Sequence, residues 1–209
     1  MAYRVLVICG SPHPKGCTNR ALEEVCKTLN EEGIETQWVR VGKDDAHGCL
    51  GCGFCGKNDR CVFDDGVNEA AKLLREADGL LVGSPVHYGS PGGALLGFLD
   101  RLFYSADYSM HMKVGAAVVS CRRGGNTASF DVLNKYFTIS GMPVASSTYW
   151  NQVHGFSAAD VEKDLEGLQT MRNLGRSMAF LIKAIGAEKE KNGLPRVERD
   201  FFTSFPDGK

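Results

Sequence analysis

Short runs of consecutive apolar residues alternate along this chain with longer stretches in which apolar positions recur every three or four residues. "YRVLVIC" (3–9) is apolar at nearly every position and ends at Gly10, the pattern of a strand buried on both faces. "TNRALEEVCKTLNEEG" (18–33) places Ala21, Leu22, Val25 and Leu29 on one helical face and stops at Gly33. "ETQWVRV" (35–41) reads as a second, more polar strand. "GVNEAAKLLREA" (66–77) is a helix capped by Asp65, and "GLLVGSP" (79–85) a buried strand. "GALLGFLDRLFYS" (93–105) is helical, "KVGAAVVSC" (113–121) a strand and "TASFDVLNKYFTISG" (127–141) a helix. "MPVASSTYW" (142–150) is the fifth predicted strand, and one long helix over 158–186 closes the series.

Strands and helices alternating through five rounds predict an α/β domain, a five-stranded parallel sheet covered on both faces. No linker, repeat or low-complexity tract divides residues 1–187. The stretch 188–209 turns charged and then aromatic, as either a frayed tail or an arm docking Phe201, Phe202 and Phe205 on a partner subunit. Those phenylalanines and the aromatic crowding in "FLDRLFYSADYSMHM" lead us to expect a homodimer or homotetramer.

Composition narrows the function. A formal net charge of −1 and a pI near 6.5 create no field favouring nucleic acid or an anionic membrane. The start lacks the h-region and cleavage site of a signal peptide, and no apolar run approaches the ~18 residues of a membrane span. A cytoplasmic protein is expected, whose clustered cysteines serve as metal ligands or redox groups rather than structural disulfides.

With the strands ordered 2-1-3-4-5, a ligand sits beyond their carboxyl ends where the order reverses, between the loops after the first and third strands. The first loop, "GSPHPKGCTN" (10–19), opens a helix whose free amides and dipole suit a phosphate, with Ser11 and Thr18 as hydroxyl donors and His13 or Lys15 as added charge. It matches neither the dinucleotide nor the triphosphate fingerprint, so a mononucleotide fits better. The second loop, "GSPVHYGSP" (83–91), can lay backbone amides along a flat ring. A third, "CRRGGNT" (121–127), allows close backbone approach at Gly124 and Gly125.

These stretches, with "LDRLFYS" and "YWNQVHG", resemble the NADPH-dependent FMN reductase group of flavodoxin-like proteins over about residues 4 to 185. The resemblance implies a flavodoxin-like three-layer sandwich binding FMN. It implies phosphate contacts from Ser11, His13, Cys17, Thr18 and Asn19, and ring contacts from Pro85, Val86, His87, Tyr88 and Gly89. Ser120, Gly124 and Gly125 would flank the ring's far side. His13, Cys17 and the pair His87-Tyr88 stand where the family often has Arg, Asn and Tyr-Phe.

Cys49, Cys52, Cys55 and Cys61 form a C-x2-C-x2-C-x5-C motif in a glycine-punctuated loop, able to converge on a soft metal centre. The motif narrows the resemblance to iron–sulfur flavoproteins, which implies a 4Fe-4S cluster. Zinc is the weaker metal reading, since its sites usually pair two C-x2-C units over a longer span. Free thiols or a redox disulfide stay open as the third outcome. Cys9, Cys26 and Cys121 fall in strand or helix patterns and read as core thiols.

The expected function is an FMN-dependent oxidoreductase or electron carrier working between NADPH or NADH and a small-molecule or protein redox partner. FMN trades electrons in ones or twos and could feed such a cluster. The alternatives are an NAD(P)H:quinone or azo-compound reductase using FMN alone, and a non-catalytic flavin-binding redox sensor. No catalytic side chain is assigned.

Overall fold

In the computed structural model, which describes residues 2–41, 45, 47–201 and 203, the apolar runs become adjacent strands of one sheet. β1 (Arg4–Cys9) pairs in parallel with β2 (Glu35–Arg40) and β3 (Gly79–His87). On β3's other side lies β5 (Val114–Cys121), and beyond it β6 (Gln152–His154), so the path is β2-β1-β3-β5-β6. With β6 counted as the fifth parallel strand, this is the expected order 2-1-3-4-5. The two-residue β4 (Ser90–Pro91) folds back antiparallel on β3 and makes a sixth strand among the described residues.

Alternation within the buried strands splits the core into two layers. Val5, Val7, Cys9, Leu81, Ala116 and Val118 face α1 (Cys17–Glu31) and α7 (Leu165–Asn192). Leu6, Ile8, Leu80, Val82, Ala117 and Val119 face α3 (Gly66–Glu76), α4 (Gly93–Ser105) and α5 (Asn126–Ile139). Asp65 caps α3 as expected, accepting the Val67 N–H at 3.1 Å. Cys9, Cys26 and Cys121 are buried, and burial pushes the Cys26 thiol up to about 12.

Three elements differ from the sequence pattern. The fifth strand is not 142–150, where only Val144 makes a bridge, to Gly115. Between that bridge and the Val119–Gln152 pair, β5 advances four residues and its neighbour eight. Pro143 has no N–H to donate, and the Ser147 hydroxyl donates to the Thr170 carbonyl of α7, which draws the chain off the sheet edge. The closing helix is broken into α6 (Ala158–Val161) and α7, because the Asp164 carboxylate accepts the Gly167 and His154 N–H groups and starts a new helix. α7 then passes residue 187 and ends at Asn192. Within the cysteine stretch, Cys55–Asn58 forms one helical turn, α2.

Phe201 is exposed, whereas Phe202 and Phe205 lie outside the described residues. Among the described residues no helix is long and apolar enough to cross a membrane.

Candidate functional site

All the parallel strands end at one edge of the sheet, and an open cleft of about 880 Å³ lies there. Ser11, His13, Cys17 and Thr18 line it from the first loop, Pro85, Val86 and His87 from the second, and Ser120 from the end of β5. Arg122 lines it too, and among the described residues no carboxylate does. The loop after β6 contributes Gly155, Phe156, Ser157 and Ala158, a fourth wall that the sequence reading missed. Gly155, directly after "QVH", is its only glycine, and nothing in the mostly polar stretch before it sets that loop apart.

The first loop is preformed. The Ser11 hydroxyl accepts the His13 N–H at 3.2 Å, and the His13 carbonyl accepts the Gly16 N–H at 3.0 Å. Gly16 offers no side-chain cap, so the first-turn amides of α1, which have no intrahelical acceptor, get none from the cap residue either. Thr18 is anchored by a 2.7 Å hydrogen bond between its buried hydroxyl and that of Ser120. Cys17 donates to the Gly155 carbonyl at 3.5 Å, and burial holds its thiol above the usual range. Asn19 is not among the cleft residues: its side chain is engaged by Glu23 and Arg40.

The second loop is a two-residue hairpin between β3 and β4. Tyr88 (φ 51°) and Gly89 (φ 76°) both adopt the left-handed conformation that a tight hairpin turn requires, with the Tyr88 side chain fully in solvent. The Ser84 hydroxyl accepts the Gly92 N–H at 3.0 Å, tying the hairpin to the start of α4. Gly125, at φ 85°, packs against Val86 and Gly89, so the third loop braces the second from outside the cleft. A histidine bridge ties the third and fourth loops. Asn126 bonds the His154 ring at 3.2 Å, and His154 Nδ1 lies 3.4 Å from the Asp164 carboxylate.

The uncapped helix start, the carboxylate-free walls and the hairpin of backbone amides suit a flavin bearing one terminal phosphate. Together they define a flavodoxin-like protein built around a mononucleotide cleft. The family model for NADPH-dependent FMN reductase matches residues 3–156, and the chain belongs to that family. It is 33% identical over 190 residues to an iron-sulfur flavoprotein of Methanocaldococcus jannaschii, covering 87% of this chain and 98% of that protein. The fold is similar to that of RosB, crystallised with 8-demethyl-8-formylriboflavin-5'-phosphate (TM-score 0.68, 15% identity, 95% of this chain and 92% of RosB). It also resembles a WrbA-like flavodoxin of Agrobacterium tumefaciens (TM-score 0.63, 15% identity, 87% and 98%). The chain is thus a flavin-dependent oxidoreductase.

A second, smaller cavity of about 150 Å³ lies where the cysteine stretch crosses α4. Cys49, Cys52, Cys55 and Cys61 all line it, with Phe63, Arg101 and Tyr104. Gly51 (φ 62°) and Gly53 (φ 70°) let the chain turn between the thiols. Among the described residues, no three His, Cys, Asp or Glu side chains gather closely enough to hold a single metal ion. A cube of four irons spreads its thiolates farther apart than one zinc ion does, so four thiols around one shared cavity suit the larger group.

Proposed function

We propose that this chain is a cytoplasmic FMN-dependent reductase that takes electrons from NADPH or NADH. It passes them to a small-molecule or protein partner through a 4Fe-4S cluster on Cys49, Cys52, Cys55 and Cys61. The observation that carries this reading is that α4 runs from the hairpin beside the cleft to the cysteine cavity. The name of the Methanocaldococcus relative supports the same reading.

In this scheme the amides of the first turn of α1, with Ser11, His13, Cys17 and Thr18, hold the phosphate. Asn19 adds its backbone N–H, since its side chain is engaged elsewhere. Pro85 to Gly89 would lie along the ring edge and Ser120 on its far side, while the loop of Gly124 and Gly125 holds the hairpin from outside the cleft. The bound flavin supplies the chemistry that joins a two-electron donor to one-electron acceptors. The protein positions the ring and tunes it by hydrogen bonds, so no side chain need act as an acid or base. His87 and Tyr88 are the first to test. Subunits are expected to assemble as a homodimer or homotetramer.

The test is an absorption spectrum with iron and sulfide analysis on protein purified under nitrogen, followed by NADPH or NADH. A flavin spectrum carrying an iron–sulfur shoulder, bleached over many turnovers, supports the reading. Turnover without iron assigns the chain to FMN-only quinone or azo-compound reduction. Flavin that neither nucleotide reduces leaves a redox-sensing role.

A further inference from the structure

Cys61 is held differently from its three companions. It is 8% exposed, whereas Cys49 and Cys52 are open to solvent and Cys55 is half-buried. Its N–H donates to Asn68 Oδ1 at 2.9 Å, and its carbonyl accepts from Asn68 Nδ2 at 3.3 Å. The same Nδ2 donates to the Phe63 carbonyl at 2.8 Å. Asn68 lies in the first turn of α3, so the helix that Asp65 caps also fixes the backbone around this thiol.

Arg101 reaches the same point from α4. Its Nη1 donates to Asp65 Oδ2 at 2.6 Å and lies 3.8 Å from Cys61 Sγ, within N–H···S range. Its Nη2 donates to the Asp45 carbonyl at 2.7 Å, and the guanidinium lies 5.2 Å from the Phe63 ring centre. The residue is 2% exposed and forms part of the wall of the cysteine cavity. Its Nε is buried with no hydrogen-bond partner among the described residues. Burying a guanidinium is costly, and leaving one of its donors unused adds to that cost. The guanidinium sets a fixed positive charge beside a cavity lined by four thiols, with Nη1 against the innermost sulfur.

We infer that Arg101 is a positioning residue for the group held by the four cysteines: it hydrogen-bonds the Cys61 sulfur and favours the group's more electron-rich state. The inference rests on the cluster reading under Proposed function. Four thiolates make the centre anionic, and reduction adds a further negative charge. An N–H···S bond beside a buried cation draws charge from the sulfur and eases that addition. Asp65 moderates the effect by pairing with the guanidinium.

The test uses holoprotein carrying FMN and loaded anaerobically with ferrous iron and sulfide. It is titrated with dithionite, following the cluster by electron paramagnetic resonance and the flavin by absorbance. Arg101→Gln keeps an N–H donor and sheds the charge, and Arg101→Lys keeps the charge. R101Q is expected to make the cluster harder to reduce by about tenfold, or about 59 mV for one electron. R101K keeps the charge but loses the fixed Nη1 donor to Cys61 Sγ, so it should shift in the same direction by a smaller, measurable amount, and the flavin potential should stay put in both. An unchanged cluster potential in R101Q, or in R101K where R101Q holds no iron, overturns the inference while leaving the cluster reading intact. Wild-type protein that takes up no iron and sulfide overturns both.

Discussion

A methyl group placed on Gly125 would stand 2.8 Å from the Cα of Gly89, so the loop after β5 and the hairpin after β3 meet backbone to backbone. Gly125 also sits at φ 85°. Gly125→Ala therefore meets both a clash and a strained backbone, and should cost roughly 1–3 kcal/mol. FMN affinity should fall with it, because the hairpin loses its brace. Gly124 has no neighbour within 4 Å of an added methyl, and Gly124→Ala should stay within about 0.5 kcal/mol of wild type. Thermal melts and FMN titration by fluorescence check the pair, and equal effects from the two substitutions would sink the bracing role.

The buried Thr18–Ser120 hydroxyl pair joins the start of α1 to the end of β5. Thr18→Val strands the Ser120 hydroxyl and should destabilise by about 1–3 kcal/mol. Adding Ser120→Ala to it should cost less than the sum of the single changes, since both remove one interaction. Denaturant melts of the four proteins of this cycle give the coupling, and strict additivity would refute it.

Because α1 lacks a side-chain cap, the bound phosphate should take that place. Gly16→Asp sets a carboxylate at the cap position, where the backbone is extended (φ −90°, ψ 179°). An added Cβ there stands 3.2 Å from the His13 carbonyl oxygen, so the loop must give by a few tenths of an ångström. FMN affinity should drop about tenfold or more, about 1.4 kcal/mol. Isothermal titration reads this directly. Undiminished affinity would place the phosphate elsewhere.

Glu24 accepts from Arg172 at 2.6 Å and Arg20 at 2.9 Å, joining α1 to α7. Burial works against its ionisation, but the hydrogen bonds and charges of Arg172 and Arg20 prevail and hold its carboxyl below the usual range. A group depressed in the folded state contributes stability that is complete above its unfolded pKa, ~4.3, and is lost as pH falls through the folded value. Melting temperature should therefore drop below about pH 4.3, and Glu24→Gln should flatten that drop while lowering stability at pH 7. Parallel acid slopes for the two proteins would contradict the assignment.

Much of the fold could be read from local pattern. β1, β3 and β5 are apolar on both faces, and the helices between them carry clean stripes ending at glycines or polar residues. Sequence failed where a tertiary partner decided the outcome. The strand expected at 142–150 has the right residue types, yet Ser147 bonds α7 and the chain rejoins β5 only at Gln152. Asp164 looks like an ordinary polar helix position until the His154 N–H claims its carboxylate. In the cleft, the glycine- and proline-rich loops announced themselves by composition, whereas Phe156 and Ser157 come from a segment without such a mark. Arg101 did leave a trace, a charged residue on the buried face of "GALLGFLDRLF". Its partners, Asp65 and Cys61, lie 36 and 40 positions away.

The unequal depth of the four thiols gives wear a direction. Sulfur oxidation follows exposure, so an oxidant diffusing in from water attacks Cys49 and Cys52 at the rim before it reaches Cys61 behind Arg101 and Asn68. Damage by air should then spread from the outside inward. In a chain injured in this way Cys61 is the last of the four sulfurs to be lost.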